Sequence, residues 1–145
     1  MSNLDLARAF FAGNPDDLVA AVRDPEWVEI VRSGLGRLLT DDFEFIIVRQ
    51  SVGMPSTRRG VDGFFDAYRA YAEMWQSYTL RPVRFVELGD KVVVEARISG
   101  TTRTGGVQLE QDVAAVYSFE GDRISRIEEF SDVASAHDAA GASPG

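Results

Sequence analysis

The sequence predicts an α+β domain in which helices pack on one side of a curved, mostly antiparallel sheet. Three observations predict it. Phe64, Tyr68, Tyr71 and Trp75 recur at a spacing of about 3.6 residues, one face of a helix over Val61–Gln76. Four stretches rich in β-branched and aromatic residues follow, Tyr78–Leu88, Lys91–Thr102, Val107–Phe119 and Arg123–Ser131. They are joined by Gly89-Asp90, Thr104-Gly105-Gly106 and Gly121-Asp122, and short glycine-bearing turns between long strands make an antiparallel meander.

Taken in order, the chain opens with short helices. Asn3 is placed to cap the first, with Leu4, Leu6, Ala7, Phe10 and Phe11 as its apolar face and Gly13 as its stop. A second helix starts at Asn14-Pro15-Asp16-Asp17, with Pro15 in the first turn, where proline is tolerated. Asp24-Pro25-Glu26 starts a third, whose stripe Trp27, Ile30, Val31, Leu35, Leu38 and Leu39 is weakened by Gly34 and Gly36. Phe43–Val48 reads as a strand, and Ser51–Thr57 as an irregular loop fit to rim a pocket. In the helix over Val61–Gln76, Asp62, Asp66, Arg69 and Glu73 take the solvent side. Pro82 belongs at a sheet edge or a bulge, since it cannot donate to a ladder. Asp132 is placed to cap a last helix, Val133–Ala140, with Gly141 beyond its end.

The 145 residues are expected to form a single domain over 1–141, with a frayed tail at 142–145. Net charge is −8 with a pI near 4.6, and Arg58-Arg59 is the only adjacent basic pair, so no cationic surface for nucleic acid is visible. The N-terminus carries acid early and has no apolar core of a secretory signal, and no run approaches the roughly 18 apolar residues of a membrane span. The absence of cysteine removes disulfides, thiol nucleophiles and thiolate metal sites. The expected location is the cytoplasm, with no nucleic-acid or membrane partner.

Lys91–Gly100 holds the central ambiguity. One face of that strand carries Val92, Val94, Ala96 and Ile98, the other Val93, Glu95, Arg97 and Ser99. The polar face either meets water or lines a cavity. The aromatic helix face has two readings as well: plain core, or pocket wall at Tyr71 and Trp75, whose polar tips need partners when buried.

The stretches RRGVDGFFDAYRAY, ELGDKVVVEARISG and AVYSFEGDRISRIEEFSD, within an order spanning Leu4 to Ala139, resemble the nuclear transport factor 2-like superfamily and, within it, its SnoaL-like group. The resemblance implies a cone-shaped sheet wrapped around the long helix, with a hydrophobic pocket at the open end. It turns the polar face of Lys91–Gly100 inward, making Val93, Arg97 and Ser99 pocket wall, and leaves the Val92, Val94, Ala96, Ile98 row for a partner copy, since relatives often dimerise through the outer sheet face. Phe45, Tyr68, Tyr71, Trp75, Ser99 and Ile127 are the expected substrate-binding residues.

Alignment with the limonene epoxide hydrolases of that superfamily places Arg97 on their arginine and Glu129 on their last-strand carboxylate. Their intervening acid falls on Ser99, and their water-holding tyrosine and asparagine fall on Phe45 and Ile47, which removes most of that hydrolytic site. The acid–histidine pair of SnoaL-type cyclases lacks its histidine. The only histidine, His137, lies near the end of the last helix, where a cation suits the helix dipole; alone it makes neither a metal site nor serine–histidine machinery.

What the resemblance leaves is an Arg97–Glu129 pair in the pocket, with Asp112 joining it if its strand register turns inward. The other reading of Arg97 and Glu129 is an ion pair on the outer face of the sheet. The implied function is acid–base chemistry on a small hydrophobic molecule, as an isomerase, cyclase, dehydratase or hydrolase with no metal and no organic cofactor. The alternative is a non-catalytic hydrophobic-ligand-binding or dimerisation module.

Overall fold

The computed structural model describes residues 2–12, 14–48 and 56–142. The Gly13 helix stop, positions 51–55 of the expected loop and positions 143–145 of the tail lie outside them. The helices are α1 (Asn3–Phe11), α2 (Leu18–Val22), α3 (Pro25–Leu38), α4 (Gly60–Met74) and α5 (Val133–Ala142). The strands are β1 (Leu39–Val48), β2 (Ser56–Arg59), β3 (Trp75–Leu88), β4 (Lys91–Thr102), β5 (Gln108–Glu120) and β6 (Arg123–Phe130).

Helix starts follow side-chain capping. Ser2, rather than Asn3, caps α1: its hydroxyl accepts from the Asp5 amide while the Asp5 carboxylate accepts from the Ser2 amide, a reciprocal box. Asp17 caps α2, so Pro15 precedes that helix instead of lying in its first turn. Asp24 caps α3 with Pro25 at its first position. Asp132 accepts from the Ser135 amide at the start of α5, which runs on through Gly141.

The strands form one curved, unclosed sheet in the order β2-β1-β6-β5-β4-β3. The meander β3-β4-β5-β6 is antiparallel throughout. Gly89 and Gly121 adopt positive φ in its two tightest turns, a conformation other residues enter only with strain. Pro82 lies on the edge strand β3 beside a register shift between Pro82 and Arg84. The sheet departs from the sequence reading at two strand starts, since β1 begins at Leu39 and β3 at Trp75, positions expected in helices, and in two pairings. The segment after β1 returns as a strand, β2, antiparallel to β1, and β1 runs parallel to β6, with Ile47 opposite Glu129.

Helices cover both faces, so the expected one-sided packing holds for α1–α4 but not for α5. The large core lies on the concave side, where Phe10, Phe11, Phe64 and Tyr117 meet largely edge to face. Helix α5 seals a smaller patch on the convex side, Ala136 and Ala140 over Val93, Ala114 and Val116.

That arrangement corrects the expected orientation of β4. Val92, Val94, Ala96 and Ile98 face the concave core, while Val93, Glu95, Arg97 and Ser99 face the convex side. Val92 and Val94 are 0% exposed, so this row is core and not a surface for a partner copy. The more apolar row goes to the larger apolar volume, and Arg97 stays hydrated; burying it among aromatic rings would carry a desolvation penalty of several kcal/mol, roughly, per ion.

Candidate functional site

A cavity of about 400 Å³ opens at the end of the sheet where α4 passes into β3. Helix α4 stops at Met74 and Trp75 turns directly into the strand, so aromatic residues from both elements converge. Tyr71 of α4 stacks on Tyr78 of β3, with centroids 5.2 Å apart and planes 8° apart, and Trp75 meets Tyr78 at 5.3 Å and 68°. Gly100 makes room for this: a β-carbon there would collide with the Ser77 carbonyl and lie 2.9 Å from the Trp75 ring. Ile98 and Gln111, paired across β4 and β5, continue the wall.

Glu129 borders the cavity from β6. Ile127, two residues earlier and so on the same face, is fully buried in the concave core, which aims Glu129 inward beside Ala115 and Ile47. The Tyr71 hydroxyl donates to Glu129 Oε1 at 3.2 Å. Beneath it a void of about 20 Å³, bordered by Phe45, Tyr68, Tyr117 and Glu129, is close to the size of one water. Burial first, and then the Glu129 charge, push the Tyr68 hydroxyl far above the ordinary phenol range. Tyr117 is pushed the same way by burial, then by Tyr68 and Glu129.

Tyr71, Trp75 and Glu129 therefore come together at the cavity. Phe45, Tyr68 and Ile127 lie deeper, around the small void. Arg97 and Asp112 do not join them. They stand opposite each other on β4 and β5 and pair on the convex face, Arg97 Nε to Asp112 Oδ1 at 3.2 Å, with side chains 54% and 66% exposed. The Arg97–Glu129 pair is overturned, because the two side chains leave opposite faces of the sheet. Ser99 shares the convex face with Arg97, opposite Glu110 and Thr79, and is no part of the cavity wall. His137 is also convex, its Nε2 2.9 Å from Glu95 Oε2, with Arg84 3.8 Å from the same oxygen.

Sequence reasoning missed Tyr78, Gly100 and Gln111. The Tyr71–Tyr78 stack crosses a helix-to-strand junction, where neither period applies, and Gly100 looks like any glycine until Trp75 is laid over it. Among the described residues no group of three or more His, Asp or Glu side chains converges as a metal ion would require.

The model of the SnoaL-like domain matches residues 5–127. None of the curated proteins matches the chain. Among solved structures, an NTF2-like protein from Burkholderia thailandensis aligns with a TM-score of 0.70 at 21% identity, covering 97% of each chain. A proposed SnoaL-like polyketide cyclase from a Jannaschia species aligns at 0.66 and 15% identity, covering 98% of this chain and 93% of its own. TerC, co-crystallised with polyporic acid, aligns at 0.63 and 23% identity, covering 95% and 97%. At these identities the likeness to the solved structures is one of fold.

Proposed function

We propose that this chain, which belongs to the SnoaL-like domain family, takes a small, largely apolar molecule into the cavity beside Glu129 and acts on it by proton transfer. The observation that carries this reading is the Tyr71–Glu129 pair set in a wall of aromatic rings. A carboxylate at the edge of an apolar cavity can take a proton from an acidic carbon or hydroxyl of the ligand. The Tyr71 hydroxyl, which donates to Glu129 Oε1, can turn its single hydrogen to the oxygen on which negative charge develops once Glu129 has taken the proton. An isomerisation returns the proton taken by Glu129 to another carbon, an aldol-type cyclisation gives it to the alkoxide left by the new C–C bond, and a dehydration gives it to the departing hydroxyl, which leaves as water. TerC, a protein of the same fold, was co-crystallised with polyporic acid, which supports reading this cavity as a small-molecule site.

The second reading is a binder. It is favoured by the convex placement of Arg97 and Asp112, which removes two of the three expected catalytic groups and leaves Glu129, with Glu110 also bordering the cavity.

A panel of cyclic ketones, enols and quinones, screened for turnover and, in a Trp27→Phe background, for changes in Trp75 fluorescence, separates the two. Under the enzyme reading, Glu129→Gln lowers turnover by about 10²–10⁴-fold while binding persists, and Tyr71→Phe lowers it less. Unchanged turnover in Glu129→Gln overturns its role as base. Saturable binding with no turnover in the unsubstituted protein selects the binder.

A further inference from the structure

We propose that the half-open space bordered by α1, α2, α3 and α4 is a second ligand site, one that takes an uncharged apolar group the size of a single aromatic ring or a short alkyl chain. This goes beyond the reading of the Glu129 cavity and does not depend on it: the two cavities share no lining residue, and Phe10 and Tyr68 separate the second from the small void beside Glu129.

The second cavity measures about 190 Å³, with walls formed by Phe10, Leu18, Trp27, Val31, Leu35 and Phe64. No Asp, Glu, Lys, Arg or His borders it among the described residues. The Asn14 side-chain amide at its edge is already donated to the Leu80 carbonyl, so it is not left seeking a partner inside. An apolar cavity of about 150 Å³ in another protein stays dry and binds benzene, so this volume and lining suit a ring of that class. A charged ligand would lose its hydration there and gain no counter-charge.

The mouth supplies an independent observation. Ile30 borders the cavity yet is 65% exposed, and Gly34, one helical turn further along α3, borders it too. Glycine inside a helix is unfavourable, and packing does not require it here, because a β-carbon at Gly34 would meet nothing within 4 Å. A side chain at Gly34 would stand over the entrance. The exposed Ile30 then has a role, as the apolar lip over which an uncharged molecule enters. Gly36 is equally open around its β-carbon but does not border the cavity, which makes it the matched control.

The test is a toluene titration of methyl-labelled protein followed by NMR. Saturable shifts are expected at Leu18, Ile30, Val31 and Leu35, whatever happens at Ile47, Ile98 and Leu109 around the other cavity. Gly34→Leu should weaken toluene binding at the first set by about tenfold or more, while Gly36→Leu leaves it unchanged. Both replace a helical glycine with a better helix former, so both should fold; Gly34→Ala provides a milder version of the same trend. Three results would overturn the proposal: no saturable shift at Ile30, Val31 and Leu35; equal weakening by Gly34→Leu and Gly36→Leu; or concentration-dependent self-association, by light scattering, that toluene competes away. The last would assign the cavity to a second copy of the chain.

Discussion

The two faces of the β4–β5–β6 sheet are built from alternate residues of the same strands and treat charge in opposite ways. On the convex face Arg97 pairs with Asp112, Arg84 and His137 gather on Glu95, and Arg126 lies 3.5 Å from Glu128. On the concave face the neighbours are Val92, Val94, Tyr117 and Ile127, and Glu129 is the carboxylate that reaches this aromatic interior. Charge on the convex side keeps most of its water, so it contributes little and tolerates change. On the concave side burial first, and the Glu129 charge after it, holds the Tyr68 and Tyr117 hydroxyls well above the ordinary phenol range. A polar residue on such a sheet therefore gains meaning from its face before its identity.

The largest expected contrast comes from truncation. Tyr117→Ala, on the concave face, should destabilise the fold by about 3–5 kcal/mol in urea denaturation, the range for removing a buried aromatic side chain. A loss below about 1 kcal/mol would mean that this core is not packed as described.

Alkaline pH sharpens the contrast next. Tyr68 and Tyr117 have raised folded-state pKa values, so below pH about 10 both folded and unfolded chains keep these phenols neutral and the stability is fully present. Above that, the unfolded chain ionises first, and stability should fall by about 1.4 kcal/mol per pH unit for each of the two. Phenolate absorbance followed alongside unfolding checks this. Both tyrosines should ionise only as the chain unfolds, and early ionisation of all four tyrosines of the sequence would refute it.

The smallest effect belongs to the convex face. A double-mutant cycle on Arg97→Ala and Asp112→Ala should return a coupling of about 0.2–1 kcal/mol that shrinks with added salt. Neither substitution should disturb ligand binding at the cavity, and a large effect on it would return Arg97 to the site.

Much of the architecture was legible because local chemistry specifies it. The aromatic period of α4, the glycine turns and the Asp24 and Asp132 caps each act within a few residues. The expected bounds Lys91–Thr102 are those of β4 itself. The β2 strand and the parallel β1–β6 pairing were not legible, because β2 is four residues long and pairing partners far apart in sequence leave no local periodic trace. Of the candidate site, Tyr71, Trp75 and Glu129 border the cavity; alternation left the face of Arg97 and Ser99 open, the family resemblance turned it inward, and the register that would have brought Asp112 in is not the one adopted.

By itself the sequence determined that residues 91–100 form a strand with two unlike faces, since alternation is intrinsic to an extended backbone. It also determined that an aromatic helix packs against the sheet. Only the tertiary structure decided which face is inside. The Val92, Val94, Ala96, Ile98 row is the more apolar, but which side of the sheet takes it depends on where the helices pack, α1–α4 on the concave side and α5 on the convex. The large aromatic core takes that row and faces Glu129 of β6, while Ala136 and Ala140 of α5 seal Val93 on the convex side, where Arg97 meets water.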